Sequence, residues 1–243
     1  MTPPFPADAA LPQGPDAGRE LEAFAHAVSH DLRAPLRHLD GFANLLVTRL
    51  EGQPGALDEK SRHYLGRITD AARTMGSLLD DLLVYSRLAH PGTASASVDL
   101  DGLVASLRAE FPPGPAWDLA PLGQVKGVPA QLRLVFQNLL GNAVKFSASV
   151  SDPRVWVRRA GTRSGRIIFE VGDNGVGFDP AFADRIFGVF QRFHPREDFP
   201  GNGIGLAIVA RAIRQHGGEV WAESQPGEGA RFSFTLEAAG GEM

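Results

Sequence analysis

Apolar residues recur every three or four positions through the first third of the chain. Phe24, Val28, Leu32, Leu36, Leu39, Phe42, Leu46 and Leu50 mark one face of a long amphipathic helix over about 18–51. Glu51-Gly52-Gln53-Pro54-Gly55 breaks that pattern, and a second series follows in Tyr64, Ile68, Ala71, Met75, Leu78, Leu82 and Tyr85. Its alternation of fours and threes is a coiled-coil seam. Two long helices with one short connection form an antiparallel hairpin, and a lone hairpin leaves much of such a seam exposed. Pairing two hairpins into a dimeric four-helix bundle buries it, so the pattern predicts a homodimer. A hairpin packed on its own globular neighbour is the alternative.

Beyond this region the period changes. His90-Pro91-Gly92-Thr93-Ala94-Ser95-Ala96-Ser97 reads as a linker of small residues and a domain boundary. Asp101 to Phe111 predicts a short helix, Pro129 to Ser147 a longer one and Ile204 to His216 a third. Alternation over Arg154 to Ala160 and Arg166 to Val171 predicts two strands about the Gly161 to Gly165 turn region. Glu219 to Glu223 and Ala230 to Glu237 predict two more, joined by Pro226-Gly227-Glu228-Gly229. Helices with a largely hairpin-connected sheet imply a two-layer α/β sandwich. Five prolines among small residues make 1–17 a disordered lead-in. The expected organisation is that lead-in, a helical hairpin over 18–90, a linker over 91–97, the sandwich over 98–238 and a tail over 239–243.

Composition narrows the classes of function. With 243 residues and 43% hydrophobic content, the chain can bury a substantial core and is long enough for two modest domains. A net charge of −4 and the absence of a dense Lys/Arg block argue against nucleic acid or a membrane surface as partner. Having no cysteine, the chain can form no disulfide or thiolate site, and a cytoplasmic setting is the default expectation. No apolar run approaches the roughly 20 residues of a membrane helix, and no signal peptide is expected. Of 24 basic residues only Lys60, Lys126 and Lys145 are lysines, which makes Lys145 noticeable among the motifs.

Four segments carry candidate chemistry. Ser29-His30-Asp31-Leu32-Arg33-Ala34-Pro35-Leu36 puts an imidazole beside a carboxylate, off the apolar stripe and one turn before a proline. In Gln137 to Ser147, Asn138, Asn142 and Lys145 fall at i, i+4 and i+7 and share one helix face. Amide oxygens suit Mg²⁺ and lysine suits phosphate, although a solvated polar face has the same pattern. Glu170 to Phe178 leaves an apolar strand and turns at Gly172, Gly175 and Gly177. There Asp173 can accept from an exocyclic amino group, and Asp-Asn-Gly is equally a common turn. Pro200 to Leu206 opens a helix with Gly201, Gly203 and Gly205, whose backbone N–H groups can approach an anion. The spacing is neither the dinucleotide fingerprint nor the phosphate loop ending Gly-Lys-Ser/Thr. Between the last two segments lie Phe187, Phe190 and Phe193, of which Phe187 and Phe190 are expected in the core. Arg192, beside a lid-like stretch, can reach a terminal phosphate or be an ordinary surface arginine.

Taken in order, these segments resemble the catalytic core of bacterial sensor histidine kinases, over nearly everything after residue 18. They match that family's histidine box at His30, asparagine box at Asn138 to Lys145 and first glycine box at Asp173 to Gly177. Its phenylalanine box matches near Phe187 to Phe190 and its second glycine box at Gly201 to Gly205. The run Phe24 to Leu36, followed by Asp40-Gly41-Phe42, is similar to kinases that follow phytochrome or other cytoplasmic sensory domains. The resemblance implies an ATP-binding sandwich of the histidine-kinase/gyrase/Hsp90 type, ATP and Mg²⁺ as cofactors, and a phosphoacceptor at His30. It implies Asn142 as Mg²⁺ ligand with Asn138 assisting, Lys145 and Arg192 toward phosphates, Asp173 toward adenine and Phe146 beside the base. Gly175 and Gly177 belong to the base-side turn, and Gly201, Gly203 and Gly205 frame the lid.

Asp31 can fix the His30 tautomer and raise its basicity. The implied partners are a second copy, a response regulator receiver domain, and a sensory domain in cis or in trans. Family members that dephosphorylate their regulator often carry Thr or Asn four residues after the histidine, and Ala34 stands there instead, which implies weak phosphatase activity. The competing functions are a catalytically inactive nucleotide-binding dimerisation module and an ATPase or serine kinase sharing the fold.

Overall fold

The computed structural model describes residues 32, 36–48, 50, 58–88, 94–194, 199 and 201–240. The chain divides between His90 and Pro91 into two compact units. In the first, residues 36–48 are helical (α1) and a second helix runs Glu59–Arg87 (α2). The Asp58 carboxylate starts α2 by accepting the Ser61 N–H at 2.7 Å. Ala43, Thr69 and Ala72 are buried, and Arg73 Nε lies 3.4 Å from Asp40 Oδ1, joining the two helices. The apolar series point elsewhere. Leu39, Phe42 and Leu46 on α1 and Tyr64, Ile68 and Met75 on α2 are all exposed, Phe42 by 69%. The seam marked by these residues is therefore open in a single chain.

The second unit is a two-layer α/β sandwich. Its elements are β1 (Ala96–Asp99), α3 (Leu100–Arg108), β2 (Ala116–Leu119), β3 (Gln124–Gly127), α4 (Pro129–Ser147), β4 (Arg154–Arg163) and β5 (Arg166–Asp173). A 3₁₀ turn at Pro180–Phe182, α5 (Gly205–Gln215), β6 (Val220–Ser224) and β7 (Ala230–Leu236) follow. The main sheet has the order β2-β4-β5-β7-β6, parallel only between β2 and β4, while β1 and β3 form a separate antiparallel pair. Helix α4 packs on β4 and β5 and against α3 and α5. The centre of the core is aromatic. Phe136 from α4 meets Phe234 of β7 edge-on at 5.6 Å, and Phe169 of β5 stacks on Phe234 at 5.8 Å.

On the sheet's other face the indole of Trp156 covers Gly172, where a Cβ would collide with it. Its Nε1–H donates to Glu170 at 2.8 Å, and Arg158 pairs with the same carboxylate at 2.7 Å. This accounts for a buried glutamate in mid-strand.

Several boundaries differ from the sequence expectation. Strand β4 continues to Arg163, because Gly161 belongs to a register shift between Arg159 and Gly161 rather than to the turn. The turn itself is Ser164-Gly165, both at positive φ, as a two-residue hairpin of this hand requires. Strand β1 begins at Ala96, inside the stretch expected to be linker, and Ser97 Oγ bonds Gln124 Oε1 at 2.7 Å. At the other end Ala239, expected in the tail, donates its N–H to Gln124 O at 3.2 Å. Replacing Phe234 by Ala should cost about 3–5 kcal/mol, since both ring partners lose their contact in a fully buried position. Urea denaturation followed by Trp fluorescence measures this, and a loss below about 1 kcal/mol would contradict the assignment of Phe234 to the centre of the core.

Candidate functional site

Helix α4 starts with Pro129 at a position where its missing N–H costs nothing. One face buries Leu132, Val135, Phe136, Leu139, Leu140 and Ala143. Asn138, Asn142 and Lys145 are half-buried on another. Asn138 Nδ2 donates to the Leu134 carbonyl at 2.8 Å, which turns Oδ1 toward Gly205, the first residue of α5. A Cβ on Gly205 would lie 2.5 Å from that oxygen. Glycine thus lets the N-terminus of α5, with its unsatisfied N–H groups and positive dipole end, stand directly against the amide face of α4.

Strand β5 ends on Asp173, which is only 2% exposed. Its Oδ1 accepts the Gly175 N–H at 2.9 Å, and the Ala230 N–H is a second backbone donor. Burial dominates these donors and pushes the carboxyl up to about 6. At Gly175 a side chain would collide with the Phe146 carbonyl, and the next residue, Val176, donates its N–H to that carbonyl at 3.2 Å. Gly177, at φ 62, packs on the Gln225 carbonyl, while Ser224 Oγ accepts from Phe178 N–H and donates to Gly229 O. Asn174 is structural: its amide accepts from Arg154 N–H at 2.7 Å and donates to Asp152 O at 2.8 Å.

The third wall follows the 3₁₀ turn. Arg192 donates to the carbonyls of Gly201 and Phe199. Lys145 Nζ lies 4.1 Å from the centroid of the Phe146 ring and 3.4 Å from where a Gly201 Cβ would be. Burial first, and then the Arg192 charge, push the Lys145 pKa down. Gly203, at φ 71, approaches the Gln191 carbonyl more closely than any side chain would allow.

Two residues here escaped the sequence reading. His194 and Phe199 pack on Phe146 with centroids 5.3 and 4.9 Å away, and on each other at 5.3 Å. Their only sequence signal was aromatic character within a Pro/Gly-flanked stretch. The expected core position of Phe190 is overturned: it is 58% exposed, because its φ of 62 turns the side chain out of the turn. Phe187 is half-buried, edge-on to Phe232 at 6.4 Å, and Phe193 stacks on Phe182 at 4.4 Å.

The contacts Asn138–Gly205, Phe146–Gly175, Lys145–Gly201 and Arg192–Gly201 bring one helix face, one strand end and one helix N-terminus together in the second unit. His30 and Asp31, with Ala34 and Pro35, lie outside the described residues. Among the described residues no group of three or more His, Cys, Asp or Glu could hold a metal ion. The amide oxygens of Asn138 and Asn142 are of the neutral oxygen type that Mg²⁺ takes alongside phosphates and water. A buried acceptor carboxylate, two cations and a helix N-terminus are the complement of an amino-bearing base joined to a polyphosphate.

Comparison with known proteins agrees with this chemistry. Residues 127–240 match the family described as histidine kinase-, DNA gyrase B- and HSP90-like ATPase, and residues 20–91 match the His Kinase A (phospho-acceptor) domain. Cyanobacterial phytochrome A of Nostoc sp. is 37% identical over 228 residues, covering 92% of this chain and 29% of that protein. Phytochrome-like protein Cph1 of Synechocystis sp. is 34% identical over 223 residues, covering 89% of this chain and 29% of its own length. The chain thus spans under a third of these curated relatives. Among solved structures, full-length ShkA in complex with AMPPNP superposes with a TM-score of 0.64 at 29% identity, covering 90% of this chain and 47% of that one.

The raised Asp173 value has a thermodynamic consequence. Because the folded value of about 6 exceeds the model-compound value of 3.8, its contribution to stability is fully present below about pH 4 and is lost as pH rises through about 6. Asp173→Asn removes that dependence. Between pH 4 and 7 the stability of the native sequence should fall relative to this variant by about 2 kcal/mol, read from urea midpoints. A pH-independent difference would rule out a buried, easily protonated carboxyl.

Proposed function

The chain belongs to the sensor histidine kinases as a catalytic core, and from that membership we propose that it phosphorylates itself on His30 with ATP. It then passes the phosphoryl group to an aspartate of a response regulator receiver domain. What supports this reading is the meeting of the α4 face that bears Asn138, Asn142 and Lys145 with the turn after Asp173 and the α5 N-terminus, in a unit that follows a phospho-acceptor domain spanning His30.

Asp173 accepts the exocyclic amino group of adenine, and Phe146 lies beside the base. Asn142, with Asn138 assisting, would hold Mg²⁺, which would supply neutralisation of the phosphate charge. Lys145 and the N–H groups opening α5 orient the phosphates, and Arg192 turns from the carbonyls of Gly201 and Phe199 toward the terminal one. Asp31 takes the hydrogen bond from His30 Nδ1–H, which leaves the lone pair on Nε2. Nε2 attacks the γ-phosphorus in line: the N–P bond forms as the bond to the ADP oxygen breaks. Since this transition state is loose, positioning and charge stabilisation supply most of the rate.

The open apolar seam of the first unit supports a homodimer. Phe42, Leu45, Leu46, Tyr64, Ile68 and Met75 expose an apolar surface that a second hairpin would cover as a four-helix bundle. No helix among the described residues is long and apolar enough to cross a membrane. We assign the activity to the cytoplasm, with a sensory domain acting in cis or in trans.

Incubation with γ-labelled ATP and Mg²⁺ tests the activity: acid-labile, alkali-stable label that disappears in His30→Gln is expected. Nucleotide binding without label would make the chain an inactive dimerisation module, and free phosphate or acid-stable label would make it an ATPase or serine kinase. The phosphorylated receiver should lose its label slowly in the presence of this chain, because Ala34 offers no polar group to place a water. Sedimentation should give a dimer, and Phe42→Glu with Leu45→Glu should shift it to monomer. A monomeric native chain at tens of micromolar, on the order of typical assay concentrations, would remove the bundle from the proposal.

A further inference from the structure

His216 closes α5 at the end away from Gly205, and both nitrogens of its ring are engaged. Nδ1 lies 2.7 Å from the Ala212 carbonyl oxygen, and Nε2 lies 3.0 Å from the amide nitrogen of Val128. A carbonyl can only accept and an amide N–H can only donate. The ring is therefore the neutral tautomer with its proton on Nδ1 and its lone pair on Nε2. Arg166 Nη1 donates to the carbonyl of His216 at 2.9 Å. Behind it the helix is closed by Gly217 at φ 66 and by the Gly218 N–H on the Ile213 carbonyl at 2.9 Å, so the imidazole has little freedom. Gly127 provides the room: a Cβ there would come within 3.0 Å of Nε2.

Val128 is the N-cap of α4 and has no side-chain cap of its own. The residue that starts α4 is thus hydrogen-bonded to the residue that ends α5. The two helices run antiparallel and meet again where Asn138 stands against Gly205. Along α4 the two contacts are separated by residues 128 to 138, and along α5 by 205 to 216, each about 15 Å at the helical rise. Two fixed points that far apart set both the axial register and the tilt of one helix on the other. Without the imidazole the Arg166 bond and the apolar packing still hold α5, but this hydrogen bond no longer ties its C-terminal end to the start of α4, and α5 can shift along the ridges of α4. Such a shift would move the α5 N-terminus relative to Asn138, Asn142 and Lys145. Asp173, on β5, would stay where it is.

We propose that His216 is a positioning residue for the phosphate side of the site: through Val128 it sets where the N-terminus of α5 stands against the amide and ammonium groups of α4. The inference rests on the nucleotide reading of the site, and adenine recognition is independent of it.

The test uses the full chain with His216→Ala, His216→Gln and His216→Asn, titrated separately with Mg-ATP and with adenosine. A glutamine oxygen can reach the place of Nε2 and accept from Val128, whereas asparagine reaches only the place of Nδ1. The Ala and Asn variants should bind Mg-ATP about fivefold more weakly, the worth of one such hydrogen bond, with adenosine affinity unchanged and the Gln variant near the native value. Unchanged Mg-ATP affinity in the Ala variant, an equal loss toward adenosine, or a Gln variant no better than Asn would overturn the proposal. If the Ala variant does not fold, the Gln and Asn comparison decides. A native chain that binds neither ligand would overturn the nucleotide reading itself, a result distinct from a native chain that binds both and variants that do the same.

Discussion

The site is organised around the carbonyl oxygen of Phe146, one of the last four in α4 that a helix cannot satisfy internally. It is met by the Val176 N–H from the turn leaving β5, and the approach is possible only because residue 175 has no side chain. That one contact joins the end of a helix to the end of a strand. It puts the buried carboxylate of Asp173 two residues from Gly175, whose backbone lies against the Phe146 carbonyl. The third wall is then attached through the same residue, because His194 and Phe199 pack on its ring.

Burial acts on the two charged ends of this arrangement in the same sense. It raises the Asp173 carboxyl and lowers the Lys145 ammonium, so each is held closer to its neutral form than in water. A ligand that brings a hydrogen-bond donor to one end and negative charge to the other relieves both.

Much of this was legible in the sequence because the informative residues are also the structural ones. The limits of α4 follow from Pro129 and from a buried face at helical spacing, and the three polar residues on another face were readable from spacing alone. Where reading failed, the cause is local geometry that one-dimensional patterns do not encode. Gly161 breaks an alternation in the same way whether it begins a turn or a bulge. Strands β1, β2 and β3 are four residues each, too short for periodicity to register. Phe190 has the spacing of a core residue and a backbone conformation that points it outward. Asn174 looks like part of the reactive turn and is a tie between strands. His216 reads as the end of a helix, and only the fold brings Val128 to it.

The pairing of β5 with β7 carries a further implication. Asp173 and Ala230 are direct partners across the ladder, so residues 174–229 form a closed excursion whose two ends are hydrogen-bonded neighbours. Closing a long excursion costs an entropy that grows only logarithmically, roughly 0.6 kcal/mol for each doubling of length. Lengthening the stretch between Gly177 and α5 therefore adds little closure cost. Such a change of length would leave the pairing of Asp173 with Ala230 in place. The same topology makes the β5–β7 ladder a late, non-local event in folding, since both of its strands have hairpin partners that can form first.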